Sequence, residues 1–392
     1  MISVNEAKEL IFSNITFLTP ELKPISKAAG HTLAQEVYAK IDIPTFPQSS
    51  MDGYALKYAD KNKQLVVIGE MAAGAPHALN ITSGECARIF TGAPLPDGAD
   101  TVVMQEKITL SNGKLSIHDS KLQQGTNVRD QGAEIKSGAL AMEKGSYLSP
   151  AAIGFLAGIG IAELKVYPMP KVSIIVTGKE LQKPGLELHF GQVYESNSYS
   201  LSAALRHHGI TDLVVVEADD DLEILTHILK TTLQQSDVVL LTGGVSVGDY
   251  DFVIEASKRC SVTQIFHKVK QKPGKPLYFG KHKNKLIFGL PGNPSSVLSC
   301  YYNYVLPALK MLSARETGPK EVNAKLTHPY SKTAGLTHFL KGIYKDGMAT
   351  PLNAQESFRL SSFAQANCLI QLSEKDENFE SGAIINVLLL PD

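Results

Sequence analysis

KVSIIVTG (171–178), NSYSLSAALRHHG (197–209), DLVVVEA (212–218), DDLEILTHILKTTL (220–233) and DVVLLTGG (237–244) follow one another along the chain, and their rhythm decides the fold. The first, third and fifth are short, nearly continuous apolar runs, whereas the second and fourth repeat apolar residues at helical spacing. Strands apolar on both faces, alternating with amphipathic helices, predict βαβ units in a parallel sheet covered on both sides. The later runs PLYFG (276–280) and KLIFGLPG (285–292) read as further strands, and a long apolar helix is expected after Asn293 and Pro294.

Outward from this centre the texture changes. LVVIGEM (65–71), ECARIF (85–90) and DTVVMQE (100–106) are short β-rich runs between Gly, Pro and Asp turns, and predict a small β domain. Ser3 and Glu6 form a capping-box pattern ahead of Val4, Ala7, Leu10 and Ile11 at helical spacing. A second helix is expected in YLSPAAIGFLAGIG (147–160), with Ser149 as cap and Pro150 at its first position. The tail from about Glu321, with CLIQL (368–372) and AIINVLLL (383–390), reads as an all-β module. The expected division is 1–43 with 135–167 as a helical and linker domain, 44–134 as an inserted β domain, 168–316 as the α/β domain and 317–392 as a C-terminal β domain.

The 392 residues exceed one ordinary core, and 43% hydrophobic with 20% charged residues describes a soluble globular protein. Lys plus Arg number 38 against 39 Asp plus Glu, so no basic excess points to nucleic acid. Any anion site must be local. Cys86, Cys260, Cys300 and Cys368 lie far apart with no C-x-x-C pair, which argues against a metal knuckle or a disulfide framework and fits a reducing cytoplasm. Neither an export signal nor an apolar run of about 18 residues is present, so no membrane partner is expected.

Ligands of open parallel sheets bind outside the carboxyl ends of the strands. The loops there are TGKEL (177–181), ADDDL (218–222), TGGVSVGDYDF (242–252) and GLPGNPSS (289–296). Two combine Gly, which lets backbone N–H groups approach an anion, with a hydroxyl or a helix start, and imply phosphate binding. Asp220, Asp221, Asp249 and Asp251 add oxygen ligands suited to a divalent metal; each alone is better explained as a helix cap, and together they favour a metal-assisted phosphate site. FHKVKQKPGKP (266–276) clusters Lys268, Lys270, Lys272 and Lys275, with alternation that would turn three of them to one side of a strand, as an anion site or a solvated edge. PTFPQSSMDGYAL (44–56) places Asp52 in a tight loop, although a hairpin turn accounts for Asp-Gly as well. TGAPLPDGAD (91–100) carries Thr91 in the same β region.

SSMDGYA (49–55), TGAPLPDGADTVVMQE (91–106), TGKEL, ESNSYSL (195–201), TGGVSVGDYDF, KQKPGKPLYFG (270–280) and GLPGNPSS occur in the order typical of molybdopterin molybdenumtransferases. The chain resembles that family over nearly its whole length and is similar to the E domain of gephyrin. The resemblance implies an elongated, multidomain α/β plus β subunit: a central doubly wound, adenylyltransferase-like α/β domain, an inserted β domain and a C-terminal β-barrel-like domain. It also implies a homodimer, cytoplasmic, that inserts molybdate into adenylyl-molybdopterin with release of AMP, aided by a divalent cation, usually Mg2+. A separate adenylyltransferase would supply the substrate and molybdoenzyme maturation partners would receive the product.

Carried over position by position, the resemblance makes Asp52, Thr91, Glu180, Asp220 and Asp251 the catalytic set, with Glu180, Asp220 and Asp251 as metal ligands. Lys268, Lys272, Lys275, Gly243, Gly244 and Ser246 would bind the anions, while Pro291, Gly292 and Pro294 would shape the pterin loop, with Ser361 or Ser362 contributed by the tail. Asp52 and Thr91 would face the α/β domain of the other subunit. Two departures weaken a role: Lys179 stands in TGKEL where the family usually has Asp, and Lys341 stands where Arg is common. The nearest alternative, a molybdopterin adenylyltransferase, would be shorter and carry a GGTG-type loop rather than GGVSVG. A non-catalytic scaffold of the gephyrin kind is the other.

Overall fold

The computed structural model describes residues 1–244, 252–315 and 320–391. The chain divides into two compact units, one of Met1–Leu22, Gly30–Ala34 and Lys165–Asp392, the other of Lys23–Ala29 and Gln35–Leu164.

The first unit is built on a six-stranded sheet. In spatial order its strands are Leu213–Ala218, Val172–Thr177, Val238–Thr242, Lys285–Leu290, Tyr278–His282 and Thr263–His267. The first four are mutually parallel, Tyr278–His282 runs antiparallel to them, and Thr263–His267 runs antiparallel to Tyr278–His282. All six residues of Val172–Thr177 are buried, as its unbroken apolar run requires, because helices cover both faces. At the edge, Leu213–Ala218 leaves Val214 and Val215 about half exposed. Ser173 is buried in this strand and shares a 2.6 Å hydrogen bond with Ser236.

The N-terminal helix Val4–Ser13 forms with its capping box closed in both directions. Its apolar stripe, Val4, Ala7 and Ile11, is buried in the same core as Val172, Ile174 and Leu240. Burying Ile11 alone is worth roughly 2 kcal/mol. The expected apolar helix after Pro294 runs as Pro294–Cys300, a π-helical turn Tyr301–Val305 and Leu306–Leu312, interrupted where the sequence suggested continuity. Side chains are buried all round it, so amphipathicity could not have signalled the break.

At the carboxyl end of this unit, strands Glu321–Leu326, Thr337–Lys345, Met348–Pro351, Cys368–Leu372 and Ile384–Leu389 close into a five-stranded barrel, because Cys368–Leu372 pairs with both Thr337–Lys345 and Ile384–Leu389. Leu326, Leu340, Ile370 and Val387 fill it. The short strand Gln271–Lys272 adds to the same sheet, parallel to Thr337–His338.

The second unit contains a six-stranded sheet in the order Thr101–Met104, Gly53–Leu56, Glu85–Ile89, Leu65–Met71, Lys114–Ile117 and Ile108–Ser111. The runs read as strands are strands. Asp-Gly at 52–53, however, is no hairpin turn: Gly53 opens a central strand so close to its neighbour that a Cβ would lie 2.0 Å from the Val103 carbonyl oxygen. The helix Pro150–Gly158 starts as expected, with Ser149 accepting from the Ala152 N–H. Among the described residues no helix is long and apolar enough to cross a membrane.

Candidate functional site

In the first unit the chain leaves strand Val172–Thr177 for a neighbour on one side, Leu213–Ala218, and then crosses to Val238–Thr242 on the other. Connections that diverge in this way open a crevice at the strand ends, here between Thr177 and Thr242. Gly243 has φ 87° and so little space that a Cβ would stand 2.6 Å from the Thr177 carbonyl oxygen. A Cβ on Gly292 would reach within 4.0 Å of Gly243 Cα. The TGK, TGG and LPGN turns therefore meet, and at Gly243 only glycine permits the approach.

Asn197, at the start of helix Asn197–His207, donates its Nδ2 to the Gly292 carbonyl oxygen at 2.8 Å. Its Oδ1, together with Thr242 Oγ1 and Ser295 Oγ, is buried without a hydrogen-bond partner. Leaving one such group unsatisfied costs about 1–3 kcal/mol, and three sit on the loops of one crevice.

The acidic residues divide by task. Asp221 caps the helix Leu222–Gln235, accepting from the N–H groups of Glu223 and Ile224, as the simpler reading held. Asp220 instead accepts from the Lys179 N–H at 3.2 Å, tying the TGKEL turn to the neighbouring strand end. Glu180 folds back over Gly178, its Oε1 3.0 Å from the position of a Cβ there. Asp251 and Ser246 lie outside the described residues. Among the described residues no group of three or more His, Cys, Asp or Glu is gathered to hold a metal.

The lysine segment is only partly a strand. Val269 and Gln271 are buried between more exposed lysines, so the alternation holds, but Lys268 adopts φ 76° and the ladder is confined to Gln271–Lys272. Lys272 and Lys275 are exposed on either side of Pro273–Gly274. In register with Lys272 stands His338, 7% exposed, whose pKa is pushed down to about 4 by burial and then by Lys272 and Lys332.

A depressed imidazole pKa binds fewer protons in the folded state between its folded value and the ordinary 6.5. Its stabilisation is fully present above pH 6.5 and is lost as pH falls toward 4. His338 should therefore cost about 2 kcal/mol of stability between pH 7 and 4.5. Urea unfolding at the two pH values checks this: His338→Gln should flatten the dependence, and an unchanged slope would exclude the residue as its source.

The barrel contributes one loop. Ser357 accepts at its carbonyl oxygen from the Ser295 N–H, 3.1 Å, and at its Oγ from Asn293 Nδ2, 2.7 Å, which fastens the loop to the LPGN turn. Lys341, 2% exposed, holds the loop's shape: its Nζ donates to the carbonyl oxygens of Ala354, Glu356 and Arg359. Three donors meet three acceptors, and burial lowers the lysine pKa. Lys341 is an internal tie, which explains why an external phosphate role did not suit it. The two serines also separate: Ser362 is buried and spends its hydroxyl on the Ala354 carbonyl, while Ser361 is exposed.

In the second unit, Asp52 accepts from both the N–H and the hydroxyl of Thr91 at 2.8 Å. These two bonds, with a smaller contribution from Arg88, hold its carboxyl below the usual range, so it is ionised at neutral pH. Arg88 donates to the Gly53 carbonyl oxygen and stacks against Tyr54 and Phe90. Asp52 and Thr91 are thus brought together by the fold from 39 residues apart.

A groove of about 770 Å³ is lined by Gly178, Lys179, Ser198, Tyr199, Arg206 and Asp219 among others. It takes residues from both TGKEL and ESNSYSL and adjoins the crevice at Gly178. Cysteine supplies no ligand here: all four thiols are free and buried, and burial pushes those of Cys86, Cys300 and Cys368 up to about 12. Asn197, Thr242, Asn293 and Ser295 all lie within the motifs, but the motifs assign them no contact: the bond of Asn197 to Gly292 spans 95 residues and has no local signal.

Three family patterns match the chain in order: the MoeA N-terminal region (domain I and II) at residues 2–160, a probable molybdopterin binding domain at 173–311, and the MoeA C-terminal region (domain IV) at 323–390. A molybdopterin molybdenumtransferase of Haemophilus influenzae is 32% identical over 399 residues, covering 99% of this chain and 98% of its own length. One from Staphylococcus aureus is 31% identical over 400 residues, covering 99% and 95%. A solved structure of the molybdopterin biosynthesis moeA protein from Pyrococcus horikoshii superposes with a TM-score of 0.84 at 30% identity over all of both chains.

Proposed function

Because the chain belongs to the molybdopterin molybdenumtransferase family, and so to the transferases of molybdenum cofactor biosynthesis, we propose that it inserts molybdate into adenylyl-molybdopterin and releases AMP. The observation that carries the reading is the crevice at Thr177, Gly243 and Gly292, where glycine-bearing turns suited to an anion meet at the ends of the parallel strands. Molybdate and the diphosphate are both anionic. Lys272 and Lys275 hold them electrostatically, while Gly243 and Gly244 let backbone N–H groups approach. Pro291, Gly292 and Pro294 shape the adjoining turn, and the groove beside Tyr199 suits the adenylyl half.

Glu180 and Asp220, on loops at adjacent strand ends, would supply hard oxygen ligands to a Mg2+ ion, and Asp251 would be the third carboxylate that the resemblance implies. Such an ion would neutralise charge on the phosphates. The chain's own residues then act by positioning substrates and stabilising charge, the main source of rate in opening a phosphoanhydride. In this reading the substrate's dithiolene sulfurs receive the molybdenum. The buried, protonated protein thiols stand aside. The reading includes a cytoplasmic homodimer in which Asp52 and Thr91 of one copy complete the site of the other. Equilibrium sedimentation at the mass of one chain would remove that part.

Purified protein supplied with adenylyl-molybdopterin, molybdate and Mg2+ is expected to release AMP in a molybdate-dependent manner. No release would refute insertion. A parallel reaction with ATP and molybdopterin should remain inactive, and adenylylation there would identify an adenylyltransferase instead.

A further inference from the structure

Behind the exposed lysines lies a buried clamp. Gln271 is fully buried, and its Nε2 donates across the Lys272–Lys275 turn to the Gly274 carbonyl oxygen at 2.9 Å. Its Oε1 accepts from the hydroxyl of Tyr304, a residue 1% exposed. Cys300 closes the same pocket, with Gln271 Nε2 3.5 Å and the Gly274 carbonyl oxygen 3.7 Å from its sulfur. The turn has no room to slide: a Cβ on Gly274, at φ 86°, would stand 2.6 Å from the Cys300 sulfur and 2.9 Å from Gln271 Nε2.

The position of Tyr304 matters. It sits in the π-helical turn Tyr301–Val305, directly after the helix that begins at Pro294. A π turn interrupts the regular helical hydrogen bonding and is frequently found at functional sites. Here it carries the helix that starts at the LPGN turn to the inside of the lysine turn. The two elements are thereby linked through buried side chains, most directly by the Tyr304–Gln271 bond, with the weaker Cys300 contacts beside it.

We propose that Tyr304 and Gln271 are positioning residues that fix the Lys272–Lys275 turn relative to the Gly292–Pro294 turn, setting the spacing at which the two elements grip an oxyanion. The proposal rests on the insertase reading for the identity of that oxyanion, but the clamp itself is independent of it. Exposed lysines on an unclamped turn would bind anions as loose point charges. A fixed turn presents them at one separation.

The test compares wild type with Tyr304→Phe, which deletes a single hydroxyl. Amide hydrogen exchange in the peptide spanning 268–277 should accelerate about tenfold, the scale of one lost buried hydrogen bond. Exchange in helix Asn197–His207 and strand Val172–Thr177 should hold. The KM for molybdate should rise about tenfold, by the same reasoning, with kcat within about threefold. Acceleration spread equally over all these peptides would make Tyr304 a general packing group and overturn the proposal. So would an unchanged molybdate KM beside an accelerated loop. Gln271→Met removes the other end of the bond and serves if Tyr304→Phe does not fold; wild-type exchange in that variant would also overturn the clamp. If wild type releases no AMP, the insertase reading fails, while the exchange comparison, with titration of molybdate alone, still decides the clamp.

Discussion

Replacing Asp220 by Asn will lower molybdate-dependent AMP release by about 10²–10³-fold, the usual consequence of removing one charge-stabilising group from a reacting centre. The fold will barely register the change. Asn keeps the volume of Asp and an amide oxygen able to accept from the Lys179 N–H, so the bond that joins the two strand ends survives. What disappears is the negative charge that would hold a divalent cation beside the phosphates. The melting midpoint should stay within about 2 °C of wild type. A parallel loss of stability and activity would instead make Asp220 a structural tie. Asp221→Asn is the internal control: that residue caps a helix, Asn caps as well as Asp, and activity should hold.

Gly243→Ala will abolish activity and destabilise the α/β unit by about 2–4 kcal/mol, from a left-handed backbone that an alanine adopts poorly and from steric overlap. The overlap is with backbone, since the new methyl would stand 2.6 Å from the Thr177 carbonyl oxygen and 2.9 Å from its Oγ1. Thr177 cannot retreat: its strand is hydrogen-bonded on both sides, and its hydroxyl donates to the Thr242 carbonyl oxygen. Relief must come from opening the crevice itself. Gly185→Ala, at φ 92° with nothing within 4 Å of its Cβ, carries the backbone cost without the clash and should retain activity. Urea unfolding and AMP release on the two variants measure this, and wild-type behaviour of Gly243→Ala would show that the three turns do not need to meet.

How much of this was legible beforehand differs by element. The central sheet was, because buried parallel strands must be apolar on both faces and therefore write continuous runs such as SIIV and VVLL. The first helix was, because Ser3 and Glu6 satisfy each other's backbone donors within one turn. Which core its stripe would enter was not, since Val4, Ala7 and Ile11 suit any apolar surface. The π turn at Tyr301–Val305 was hidden by a helix buried on all sides, where no polar face marks the register.

At the site, the motifs named the loops but not the division of labour within them. Asp220 and Asp221 are adjacent and chemically identical, yet one caps a helix and the other bridges two strand ends. Ser361 and Ser362 part in the same way. Lys341 looked like a weakened phosphate contact, whereas its three donors are consumed by three carbonyl oxygens of one loop.

Taken alone, the sequence determined what depends on near neighbours along the chain: hydrophobic period, caps, glycines at turns, and the ordered motifs that carry the family. Only the tertiary structure decided which polar atoms are spent and which are left over. Hydrogen-bond satisfaction is a property of groups brought together from distant positions, as with Asn197 and Gly292 or Gln271 and Tyr304. No local pattern of residues encodes that pairing.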